Sequence, residues 1–271
     1  MRFEVDGIPA YAYTGGRAFD PSLPTVVFVH GAQHDHSVWI LQSRYLAHHG
    51  RSVLALDLPG HGRSGGEPIA TVEAMADWVL SALAAAGASR ATIVGHSMGS
   101  LIAVECARRA PQAVAGVALV GTAFPMKVSD ALLQAAADDE AIAFDMINYW
   151  SHSGITHHPG TPGPGFSIFW ENRRLMERQR PRTLLNDFRA CDAYSGGLDA
   201  ARASQCPALF ILGQADAMTP VRAANGLIDA CREAAEHHRE TPPEVVVIPG
   251  AGHALMAERP DEVLEALERF V

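Results

Sequence analysis

Short runs of β-branched and apolar residues alternate along most of this chain with longer stretches of helical periodicity, and that alternation restricts the fold more than any other feature. The runs TVVFVH (25–30), SVLALD (52–57), ATIVG (91–95), VAGVALV (114–120), ALFILG (208–213) and EVVVIP (244–249) are each bounded by Gly, Pro or Asp. They are continuously apolar rather than alternating, as suits strands of a parallel sheet covered on both faces. Residues 36–48, 71–86, 98–110, 220–230 and 260–271 read as helices. Strand and helix in turn predict an α/β fold, a mostly parallel sheet with right-handed crossovers and helices on both faces. The opening RFEVDGIPAYAY sets Asp6-Gly7 between two extended segments and reads as an antiparallel hairpin on one edge.

The alternation breaks over 124–205, an interval too long for one crossover. We read it as an inserted helical cap (124–205) on a core made of 1–123 and 206–271. Its PGTPGPG run (159–165) can form neither helix nor central strand, because proline lacks the N–H and glycine adds backbone entropy, so a mobile loop is expected there.

Charge and composition exclude several kinds of partner. A formal net charge of -9 and a pI near 5.8 repel a phosphate backbone, and no Lys/Arg cluster is interleaved with aromatics, so nucleic acid is not expected. No apolar run approaches the length of a bilayer span, and the first residues lack the continuous apolar segment of a secretory signal. A cytoplasmic protein with no membrane partner and a small-molecule substrate is the expectation. Cys106, Cys191, Cys206 and Cys231 are far apart with no C-x-x-C pair, and read as free thiols. The histidine pairs 34/36, 48/49, 157/158 and 237/238 have no zinc-ligand spacing and no carboxylate at a helical offset, so neither a metal nor another cofactor is expected.

The segment ATIVGHSMGSL (91–101) carries the chemistry. Ser97 follows a strand and precedes a helix, the setting of a nucleophile elbow, in which the turn is so tight that the positions two residues to either side must be nearly free of side chain. Gly95 and Gly99 meet that demand. A serine hydroxyl is a weak nucleophile at neutral pH and needs a histidine to take its proton and an acid to orient that histidine. QADAMTP places Asp216 just past the strand at 208–213, and GAGHAL places His253 just past the strand at 244–249. Reactive groups of open α/β sheets gather at that carboxyl edge. Asp57 reads instead as a stabiliser of the following PGHG turn, and His96 as a packing residue.

Taken in order, His30-Gly31, DLPGHGRS (57–64), GHSMG (95–99) and GAGH (250–253), with GQADAMTP (213–220) as the acid-bearing segment, resemble the α/β-hydrolase superfamily over nearly the whole chain. The resemblance implies the catalytic trio Ser97, Asp216 and His253, and an oxyanion hole made by the backbone N–H groups of Ala32 and Met98. An acid one strand earlier is disfavoured, because VGTAF (120–124) offers no carboxylate.

A serine nucleophile points to acyl transfer through an acyl-enzyme, with ester hydrolysis as the leading reading. Carbon–carbon bond hydrolases, lactonases, amidases and perhydrolases share the same trio. A noncatalytic small-ligand receptor on the same fold is the competing class, and an intact trio weighs against it. For the substrate pocket the sequence offers Trp150, Phe166, Phe169 and Trp170 from the cap, with Trp39, Phe124 and Met126 from elsewhere.

Overall fold

A computed structural model describes residues 1–154, 156 and 167–271. Among them, β1 (Arg2–Val5), β2 (Ile8–Tyr13), β3 (Thr25–Val29), β4 (Ser52–Asp57), β5 (Ala91–His96), β6 (Val114–Val120), β7 (Ala208–Gly213) and β8 (Glu244–Ile248) form one sheet. Its order is β1-β2-β4-β3-β5-β6-β7-β8. The hairpin β1–β2 is antiparallel and β2 joins β4 antiparallel, while all other neighbours are parallel. Asp6 and Gly7 make the hairpin turn with positive φ at both positions, 51° and 78°.

The helices are α1 (Ile40–His48), α2 (Val72–Ala85), α3 (Met98–Arg109), α4 (Asp130–Asp138), α5 (Glu140–Ser151), α6 (Ile168–Glu177), α7 (Thr183–Ala193), α8 (Gly197–Ala203), α9 (Asn225–His238), α10 (Leu255–Glu258) and α11 (Pro260–Phe270). Local chemistry starts several of them. Thr71, Ser129, Asp139 and Ser167 each accept a backbone N–H at a helix start, and Pro260 opens α11 where its missing N–H costs nothing. None of the helices among the described residues is long and apolar enough to cross a membrane.

Successive residues of the central strands face opposite ways and fill two cores. Val27, Val29, Leu54, Leu56 and Ile93 pack with α2, α3, α8 and α9 on one face. Val26, Phe28, Val53, Ala55 and Val94 pack on the other with α1, α10, α11 and Trp39. Full burial of each large side chain is worth about 1.5–3 kcal/mol, which is why strands buried on both faces are written as unbroken apolar runs.

Helices α4 to α7 share an apolar cluster of their own, built on Leu132, Phe144, Ile147, Met176, Leu184 and Phe188. Helix α8 belongs elsewhere: Ala200 and Ala201 are buried in the core of the sheet, where α8 packs on α3 and α9 as the crossover into β7. The run at 159–165 and Phe166 lie outside the described residues.

The strand order reverses beside β3, whose neighbours are β4 and β5. A crevice therefore opens at the carboxyl ends of β3 and β5, the position at which open α/β sheets place their ligands.

Candidate active site

Ser97 stands in that crevice at the junction of β5 and α3, with φ 52° and ψ -118°, a region that residues bearing a Cβ avoid. The neighbouring glycines are forced by sterics. A Cβ on Gly95 would lie 2.0 Å from the Gly99 carbonyl oxygen, and one on Gly99 would lie 2.4 Å from that of Val29. A Cβ on Gly31 would lie 3.2 Å from the Ser97 Cβ, which explains the glycine of the His30-Gly31 pair. The Ser97 N–H donates to Val120 O at 2.9 Å, and its carbonyl accepts from Ser100 N (2.8 Å) and Ser100 Oγ (2.6 Å).

His253 and Asp216 meet at the same edge of the sheet. His253 Nδ1 donates to Asp216 Oδ2 at 2.8 Å, and both residues are buried. The other Asp216 oxygen accepts from the N–H groups of Met218 (2.8 Å) and Thr219 (2.7 Å), which folds the loop around the carboxylate. Thr219 Oγ1 adds a third donor, to Oδ2 at 2.7 Å, and lies 3.1 Å from His253 Nδ1. Burial alone raises the Asp216 pKa, but the His253 ring and these hydrogen bonds outweigh it and hold the carboxyl below its ordinary value. With Nδ1 committed to Asp216, Nε2 is the ring nitrogen left to take a proton.

The backbone of His253 is fixed from both sides. Gly252 N donates to Glu258 Oε2 at 2.6 Å, Ala254 N donates to Ser151 O at 2.9 Å, and His253 O accepts from His96 Nε2 at 2.9 Å. His96 is thus a packing residue with a second task. Burial, then the nearby His253 and His34 rings, push its pKa well below the ordinary histidine value, so it stays a neutral donor.

A cavity of about 380 Å³ brings Ser97 and His253 together with Ala32, Met126, Trp150 and Phe188. Met98 is fully buried, and as the first residue of α3 it contributes one of the N–H groups that have no partner within the helix. The N-terminal end of α3 adds a positive dipole beside Ser97. A second cavity, of about 540 Å³, reaches His253 and His96 between α1, α6 and α10, and is lined by apolar side chains such as Leu41, Ile168, Leu175 and Met256.

The other sequence candidates lie elsewhere. Trp39 is a correction: it is fully buried, its ring 5.0 Å from that of Phe28 in the core, so it forms no pocket wall. Phe124 is half-buried, and its ring packs on Tyr194 (5.9 Å) and fills the space that a side chain on Gly197 would need. Trp170 is 61% exposed on α6, Phe169 packs against it and against His152, and neither lines the cavity that holds Ser97. Phe166 is outside the described residues. Asp57 accepts from His36 N and Nδ1 (2.7 Å each) and from Arg63 N (2.8 Å), so it holds the turn, as its position suggested. With Asp35 these residues bring possible metal ligands within 4.8 Å of one another, yet the oxygens already accept from protein donors. Thr219 and Glu258 were missed, because each acts through a backbone turn that the residue pattern does not display.

A family model described as the alpha/beta hydrolase family matches residues 26–266. The chain is 41% identical over 131 residues to the dihydrolipoyllysine-residue acetyltransferase component of the acetoin cleaving system of Cupriavidus necator, a match that covers 48% of this chain and 33% of the relative. This chain thus spans a third of that relative's length. It is 30% identical over 256 residues to the pimeloyl-[acyl-carrier protein] methyl ester esterase of Chromobacterium violaceum, covering 90% of this chain and 92% of the relative. The enol-lactonase of Burkholderia xenovorans superposes with a TM-score of 0.83 over 100% of this chain and 98% of its own, at 22% identity, a likeness of fold.

Proposed function

The chain belongs to the α/β-hydrolase family, and on that premise we propose that it is a serine hydrolase cleaving a carboxylic ester of a small or medium, partly apolar substrate. The observation that carries this reading is the buried Asp216–His253 hydrogen bond, 2.8 Å long, at a cavity shared with the strained Ser97. A receptor needs no such bond. The similarity to a methyl ester esterase along nearly the whole chain adds support for ester chemistry.

In the proposed reaction Ser97 Oγ attacks the ester carbonyl while His253 Nε2 takes its proton. The oxyanion that forms is assigned to the N–H groups of Ala32 and Met98, since fixed donors need no reorganisation when charge develops. Asp216 keeps His253 in the Nδ1–H tautomer and stabilises the imidazolium. His253 then passes the proton to the departing alkoxide, leaving an acyl-Ser97 and a free alcohol. Water, deprotonated by His253, attacks the acyl-enzyme and releases the acid, and the proton returns to Ser97. We assign α4 to α7 the role of the cap, with Trp150 and Phe188 as apolar walls.

Turnover of short p-nitrophenyl esters by the wild type and by Ser97→Ala tests the reading. The variant is expected to lose about four to six orders of magnitude in kcat. Full turnover without the hydroxyl would sink it, and a panel of esters, lactones and amides then ranks the bond cleaved.

A further inference from the structure

Gln33 directly follows Ala32 and has φ 59°, an unusual backbone conformation for a residue with a side chain. It is held there from the cap. Its N–H donates to Asp187 Oδ2 on α7 at 2.9 Å, and its Nε2 donates to Met176 O on α6 at 2.9 Å. The same Asp187 oxygen accepts from His61 Nε2 at 2.9 Å, and His61 Nδ1 donates to Pro59 O at 3.0 Å. Both ring nitrogens of His61 therefore act as donors, the arrangement of an imidazolium.

Asp187 and His61 are both buried, at 0% and 1% side-chain exposure. Burial alone disfavours the charged ring, but the Asp187 carboxylate overrides it and raises the His61 pKa. A buried ion pair is a costly way to fasten two elements, since apolar residues of the same volume do as well or better for stability. What apolar residues cannot supply is an acceptor for the N–H of Gln33. A lone carboxylate so close to Ala32 would also oppose negative charge on a reacting oxygen, and the His61 cation cancels it.

We propose that Asp187, with His61 as its counter-ion, is a positioning residue that fixes the Gln33 peptide and thereby aims the Ala32 N–H at the oxyanion. Seating α7 on the core and completing the oxyanion hole are then one event. This rests on the hydrolase reading above.

The double variant Asp187→Leu/His61→Leu, which replaces the pair by apolar residues and is expected to fold, tests it against Asp187→Asn, which keeps an acceptor. The expected result for the folded double variant is a kcat lower by about tenfold to a hundredfold with KM within about twofold, for an acetate ester and a longer ester alike. Affinity for a trifluoromethyl ketone, whose serine adduct places an oxyanion in the hole, falls in proportion to kcat/KM, and Asp187→Asn recovers part of both. A wild-type kcat in the folded double variant, or a change confined to KM for the longer ester, overturns the proposal. Ser97→Ala is measured alongside. If it turns over normally the hydrolase reading fails, whereas an inactive Ser97→Ala beside a fully active double variant removes only the positioning role.

Discussion

The two oxygens of Asp216 are divided between the loop and the site, one taking the backbone N–H groups of Met218 and Thr219 and the other facing His253. One carboxylate thus both folds its turn and holds the histidine ring. Asp216→Asn is expected to keep the turn and lose about 10⁴ in kcat, because an amide oriented by those N–H groups presents its NH₂ to His253 and selects the wrong tautomer. Near-normal turnover would mean that another carboxylate orients the ring. Trp39→Ala, in contrast, is expected to cost about 3–5 kcal/mol in a urea titration and to leave the ranking of esters unchanged, since the ring is fully buried between Phe28 and His96 and reaches no cavity surface. Ser97, Asp216 and His253 were legible because each follows an apolar strand within a few residues. Trp39 was legible as apolar, but the face it covers depends on how α1 lies on the sheet.

At the scale of elements, β5 and α3 approach so closely that Gly95 and Gly99 have no substitute. Gly99→Ala is expected to destabilise by at least about 3 kcal/mol or to prevent folding, because the clash is with backbone atoms that cannot rotate away. Soluble expression and a thermal melt of that variant measure it, and a melt like wild type would contradict the geometry. The strands follow their apolar runs closely, whereas helices drift: α9 runs from Asn225 to His238, beyond the stretch legible as periodic, and Val221–Ala224 is a 3-10 turn. The interval 124–205 was legible as an interruption but not as two things, a group of helices with its own core and then α8, which belongs to the layer on the sheet. Shortening Trp150 to Ala is expected to raise KM for bulky esters about tenfold with a smaller effect on acetate, the signature of lost uniform binding. Equal effects on both would place Trp150 outside the acyl site.

Across the whole molecule, buried histidines set the response to acid. Burial, with the neighbouring His61 ring, lowers the His30 pKa to about 4, and burial likewise lowers those of His34 and His96. Groups that take up a proton more readily when unfolded lower the stability as pH falls from about 6.5 towards 4, on the order of 3 kcal/mol for His30 alone. His61 runs the other way: its contribution is complete below about 6.5 and is lost as pH rises through its raised value. Because the His61 contribution is already complete in that window, the three lowered histidines act unopposed, and the expected outcome is a urea midpoint that drops between pH 6.5 and 4; carboxylates such as Asp35, held at about 2, add to the fall only as the pH approaches their ordinary value of 3.8. A flat midpoint over that window would show these rings to be charged in the fold. The backbone at Ser97, with φ 52°, has a consequence for how such a chain changes under selection. Glycine there would relieve strain of about 1–3 kcal/mol against about 0.5–1 kcal/mol for its freer unfolded chain, so Ser97→Gly is expected to melt higher and to turn nothing over. Lineages screened only for heat resistance would accumulate that glycine, and lineages screened for turnover would discard it, so that one codon records which pressure a population has been under.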